Sequence, residues 1–139
     1  MQTILNYAIR DSIDTATCFV WPNFNVNEEV FEKLVSIIKT TNIGGIYGDW
    51  VENGIRVFSE PFDRKRLELH AFEPPLIVVN NKFIDKIEPI KDDMKPLWIY
   101  EYMLRLTEIC PIYHYPAITC EGTREEIDYE KEIRRLNGQ

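Results

Sequence analysis

The side chains able to do acid–base or nucleophilic chemistry are few in this sequence. There are two histidines, His70 and His114, and three cysteines, Cys18, Cys110 and Cys120. Histidine titrates near neutrality and is the first choice for moving a proton. His114 stands between Tyr113 and Tyr115 in a segment of strand character, so it points away from both tyrosines. Cys110 and Cys120 flank it, and Cys18 could complete a Cys/Cys/His set. Structural zinc sites use tight Cys-x-x-Cys-like pairs, whereas three and five residues separate His114 from its neighbouring cysteines. The expectation is therefore no metal and no cofactor, no Cys–His nucleophile, buried cysteines acting as small apolar residues, and a packed strand histidine.

Among the carboxylates, Asp49 adjoins Trp50, an aromatic neighbour that could desolvate it and raise its pKa. The simpler expectation is an exposed strand aspartate. The other acidic groups are spread out as Glu28-Glu29, Asp92-Asp93 and the set Glu121, Glu125 and Glu126. Two of these groups sit where a helix begins, and the helix dipole alone explains acidic residues there. If folding gathers them, they form an anionic surface. On that basis Glu28, Glu29, Asp49, Asp92, Asp93, Glu125 and Glu126 are the expected partner-binding residues, and no residue is assigned a catalytic role. The basic run Arg64-Lys65-Arg66 is neutralised by Glu60, Asp63 and Glu68 and reads as a solvated charged loop. Gly44, Gly45 and Gly48 lack the Lys-Ser or Lys-Thr of a phosphate loop and read as turn and bulge glycines. Dinucleotide-binding, nucleophile-elbow and His-Glu-x-x-His motifs are absent from the sequence.

Composition narrows the classes further. The 139 residues fit one domain, 1–139, with 45% hydrophobic and 28% charged residues and abundant Trp, Tyr and Phe. That is a globular composition, not a disordered one. The net charge of −7 disfavours sequence-independent binding to nucleic acid and to anionic membranes. No apolar run reaches membrane-spanning length, and the cluster at residues 18–21 is too short for a signal-peptide core. An odd number of cysteines without close pairs argues against a disulfide scaffold. A cytoplasmic location is expected.

The elements that must position these residues follow from periodicity. Residues 4–10 alternate and residues 15–21 are β-branched and aromatic, which predicts a hairpin-paired strand couple. Residues 27–40 predict a helix capped by Asn27, with Glu28 and Glu29 in its first turn and an apolar stripe of Val30, Phe31, Leu34, Ile37 and Ile38. Residues 46–52 and 55–59 flank Asn53-Gly54, the preferred type I′ turn, and should place Trp50 opposite Val57. Ile46, Trp50, Val57 and Ile55 then form a core-facing set, while Asp49, Arg56, Tyr47, Val51 and Phe58 share the other, partly covered face. Residues 63–70 alternate and suggest another strand; residues 76–79 predict a short buried one. Residues 94–110 predict a long central helix, capped by Asp92 or Asp93 with Pro96 in its first turn. Residues 112–119 predict a strand, and Thr123 and Glu126 form a capping box for a charged last helix ending at Leu136.

This order predicts an α+β fold: a mostly antiparallel sheet with about three helices packed on one face of it. In composition the chain is of the type of bacterial immunity proteins, antitoxins and phage-encoded inhibitors, which are small, acidic and without catalytic signatures. The functional expectation is a binding protein that inhibits or neutralises a basic protein partner such as a toxin, with the many Tyr and Trp supplying interface anchors. The alternatives are a small α+β enzyme or ligand-binding domain with a pocket near His70, His114 or Asp49, and a homodimer formed through the hairpin's second apolar face.

Overall fold

The computed structural model describes residues 15–138 with their side chains and residues 5–8 by their backbone. The polar turn expected at residues 11–14 and the strand positions Ile4, Ile9 and Arg10 lie outside the described residues. The chain runs β1 (Leu5–Ala8), β2 (Ala16–Val20), β3 (Phe24–Val26), α1 (Glu28–Thr40), β4 (Gly45–Glu52), β5 (Ile55–Val57) and α2 (Arg64–Leu69). It continues through β6 (Leu76–Asn80), α3 (Asn81–Ile84), a 3-10 turn (Asp92–Met94), α4 (Trp98–Leu106), β7 (Ile112–Gly122) and α5 (Tyr129–Leu136).

The seven strands among the described residues belong to one sheet in the order β1-β2-β6-β4-β7-β3, with β5 paired to β4 beyond the end of β6. Every pair is antiparallel except β4 with β7. The fold is thus mixed α/β with an antiparallel-dominant sheet and several packed helices. The helices do not share one face, however. Pairing puts Cys18, Val78 and Ile46 on one face, and Phe19, Ile77, Val79, Gly45 and Tyr47 on the other. On the second face α4 brings Tyr102 against Phe19 and Leu106 over Gly45. The first face is equally buried at Cys18, Ile46, Trp50, Leu76 and Val78. It is covered by α1, which packs on β4, β6 and β7 through Phe31, Leu34, Val35 and Ile38. A sheet buried on both sides explains why strands such as 76–79 are apolar throughout instead of alternating.

Local chemistry accounts for most element boundaries. The Asn27 side chain accepts a hydrogen bond from Val30 N–H, closing the start of α1 as expected. Asn53 and Gly54 both have positive φ, 53° and 80°, and Trp50 pairs with Val57. Ile55 departs from the expected core set: it is 69% exposed, one residue past the turn, where nothing covers the hairpin tip.

Three segments differ from the periodicity. Residues 63–70 form helix α2 and not a strand. The Asp63 side chain accepts from Arg66 N–H, and Arg64 pairs with Glu68 one turn on. Only Leu67 is buried, while Leu69 is 75% exposed, so the alternation there reflected a single inward residue. The helix expected over 94–110 is confined to α4, Trp98–Leu106, and Pro96 precedes it. Neither Asp92 nor Asp93 caps it, because both sit in the 3-10 turn; the cap is Glu73, from a distant segment. The last helix starts at Tyr129 with Asp128 as its cap, accepting from Lys131 N–H, and not at Thr123. Arg124 is drawn inward under Trp21, which keeps residues 123–128 out of helical geometry.

Candidate functional site

Two constellations collect the groups with chemical potential. The first is built where β4 runs parallel to β7. Gly48 permits it: a Cβ there would lie 2.6 Å from the Tyr115 carbonyl oxygen and 2.7 Å from Thr119 Cγ2. The register shifts immediately afterwards, between Gly48 and Asp49. This bulge leaves Asp49 facing His114, whose Nε2 lies 3.1 Å from Asp49 Oδ1. Ser59 N–H donates to the same oxygen at 2.9 Å, the Ser59 hydroxyl at 3.2 Å, and Arg56 Nη2 reaches Oδ2 at 3.3 Å. Burial pushes the Asp49 carboxyl up, but these bonds outweigh it and hold the group below its ordinary value. The sequence expectations of a raised pKa and of an exposed strand aspartate are both corrected by this arrangement. Chemically, a carboxylate so held fixes the orientation of the imidazole. The His114 ring also lies 5.3 Å from the Tyr47 ring, whose hydroxyl donates to the Glu60 carbonyl.

The second constellation is a cleft of about 780 Å³ at the far end of β2. Trp21 and Trp98 form its aromatic wall, their rings 4.8 Å apart and tilted by 56°. Lys95 and Pro96 close one side, and the segment from Thr123 to Glu132 closes the other. Glu125, Glu126, Asp128 and Glu132 put four carboxylates on the cleft, against Lys95, Arg124 and Lys131. Arg124 is already committed. Its Nε and Nη2 grip the Glu52 carboxylate at 3.0 Å each, and its guanidinium stacks 4.7 Å from the Trp21 ring centre. Its Nη1 is buried without a hydrogen-bond partner among the described residues.

Behind this wall lies Glu73, completely buried. It accepts from Trp21 Nε1–H and Ile99 N–H at 2.8 Å and from Tyr100 N–H at 2.7 Å, so it caps α4 and anchors the cleft's tryptophan together. Burial pushes its carboxyl up to about 7, against the opposing pull of those donors and of the Arg124 charge.

Of the seven expected partner-binding residues, Glu125 and Glu126 line this cleft. Glu28 and Glu29 lie exposed on the first turn of α1, and Asp92 and Asp93 are exposed in the 3-10 turn. Asp49 points inward. His70 is exposed at the end of α2. A smaller cleft of about 530 Å³ is bordered by Asn23, Asn25, Asn27, Gly54 and Glu121. Neither His114 nor Asp49 lines either cleft. All three thiols are buried and free, and burial raises each above its ordinary pKa. Burial, with Cys120 and Glu28 adding to it, raises the Cys18 thiol, on the face opposite to His114. No group of three or more His, Cys, Asp or Glu among the described residues could hold a metal ion. No described helix is long and apolar enough to cross a membrane.

The residues missed from sequence are Glu73, Arg124, Trp21 and Trp98. Glu73 carried one signal, its position between Phe72 and the Pro74-Pro75 pair, an apolar setting for a charge. No protein-family model and no curated protein matches this chain.

Proposed function

We propose that this chain is a binding protein whose cleft at Trp21 and Trp98 receives a basic segment of a protein partner and thereby inhibits or neutralises it. One observation carries the reading: four carboxylates, Glu125, Glu126, Asp128 and Glu132, border a cleft with a two-tryptophan wall. Glu125 and Glu126 are exposed and project from a segment without regular secondary structure, next to the Arg124 side chain buried against Glu52. Aromatic walls supply the desolvated anchor of an interface, and rim carboxylates steer a cationic partner to it. The net charge of −7 adds long-range attraction.

The test is affinity capture from the producing cell at low salt, using the wild-type chain and the double variant Glu125→Lys/Glu126→Lys. The expected result is one stoichiometric basic protein, retained by the wild type, released by salt and absent with the double variant. Retention of the same protein by both chains would remove the cleft from the interface, and no retention by either would remove the reading.

A further inference from the structure

Every element that lines the cleft is tied to one buried residue. Glu73 Oε2 accepts from Trp21 Nε1–H, at the end of β2, and from Ile99 N–H in the first turn of α4. Oε1 accepts from Tyr100 N–H alone. The main chain of the same residue is gripped from the other side. Its carbonyl accepts from Arg124 Nη2 at 2.6 Å, and its N–H donates to the Tyr129 hydroxyl of α5 at 3.3 Å. The carboxyl thus joins β2 to α4, while the backbone joins both to the 123–128 segment and to α5.

We propose that Glu73 is a proton-operated latch on the cleft: a proton taken up at Oε1 displaces the Tyr100 N–H, loosens the first turn of α4, and lets Trp98 shift against Trp21. The two oxygens are not equivalent. Oε2 holds two donors and Oε1 holds one, so protonation at Oε1 sacrifices the fewest bonds. A carboxylic hydroxyl carries its own proton and accepts more weakly than a carboxylate oxygen, so the Tyr100 N–H loses most of its hold there. The proton comes from solvent and returns there; no other bond is made or broken.

The charged and titratable groups around the latch are few. Arg124, following β7, favours the carboxylate, and Glu52 of β4 partly cancels it by pairing with Arg124. Tyr129 of α5 is raised by burial and stays a neutral phenol. Tyr100 of α4 is likewise raised by burial. Lys95, before α4, lies over the Trp98 ring, 5.7 Å from its centre. Burial brings the Glu73 carboxyl to about 7, so both forms are populated near neutrality. The latch is read from the free chain; only its consequence for partner affinity rests on the function proposed above.

The experiment is a pH titration of the free chain by NMR, following the Glu73 carboxyl carbon, the Tyr100 amide and the Trp21 indole N–H. The expected result is one shared midpoint near 7 for all three signals, lost for Tyr100 and Trp21 in Glu73→Gln. A Glu73 carboxyl that stays charged down to its ordinary range, about 4.3, would overturn the proposal. So would Tyr100 and Trp21 signals that do not move with it. If Glu73→Gln fails to fold, the three wild-type signals decide by themselves, and none of these readouts involves a partner.

Discussion

Asp49 on β4 and His114 on β7 meet at 3.1 Å across the parallel strand pair that β4 and β7 form. The contact is possible because the chain slips register after Gly48, and it gives a buried carboxylate a fixed place between an imidazole, a serine and an arginine.

Removing that carboxylate should destabilise the fold. Asp49→Ala leaves Ser59 N–H and the imidazole facing a void, and loss of charge-assisted bonds of this kind costs about 2–3 kcal/mol. Arg56, 40% exposed, adds little to that figure. The folded carboxyl sits below its ordinary value, so its contribution is present above about pH 4 and fades as pH falls through the lowered value. Urea unfolding of wild type and Asp49→Asn should therefore show a gap at neutral pH that narrows in acid. A gap independent of pH would contradict the account.

Glu73 carries the opposite sign. Its carboxyl is raised from 4.5 to about 7, so its contribution is full below 4.5 and is lost as pH rises towards 7. At about 1.4 kcal/mol per unit, the wild type should lose up to about 3 kcal/mol relative to Glu73→Gln across that interval. Unfolding midpoints measured in mild acid and in mild base should converge or cross in the variant's favour.

Arg124→Lys should not behave as a conservative change. Lysine cannot hold both oxygens of Glu52, reach the Glu73 carbonyl and stack on Trp21 together. A loss of about 2 kcal/mol is expected, with a change in Trp fluorescence that Arg134→Lys, on the exposed face of α5, does not produce.

Two glycines should separate cleanly. Gly48→Ala forces a methyl to 2.6 Å from a backbone oxygen in the middle of the sheet, and strain of this kind costs about 1–3 kcal/mol. Gly54→Ala has open space but a φ of +80°, and should cost about 1 kcal/mol. Thermal melts of the pair should rank Gly48→Ala as the more damaging.

What could be read from the sequence was what neighbours along the chain decide. Asn27 closing α1, the Asn53-Gly54 turn and the Trp50–Val57 register all depend on residues within a few positions. The misread segments were settled from afar. Thr123 and Glu126 have the spacing of a capping box, but Arg124 between them is worth more under Trp21 than on a helix surface. The start of α4 is fixed by Glu73, and no local rule could name a cap lying 25 residues upstream of its Trp98, at residue 73. The candidate site shows the same division. Glu125 and Glu126 were legible as exposed acids, whereas the pairing of Asp49 with His114 required the strand order.

The position of β7 has a consequence for how the protein is made. Synthesised last among the described strands, it ends up inside the sheet, parallel to β4 and paired with β3. A chain emerging from the ribosome therefore holds β4 with one side unpaired, and β3 with no strand to join, until residues 112–122 have left the exit tunnel. Contacts so distant in sequence form slowly, and open strand edges invite pairing with other chains meanwhile. The β4–β7 and β3–β7 pairs are thus the last described strand pairs able to form.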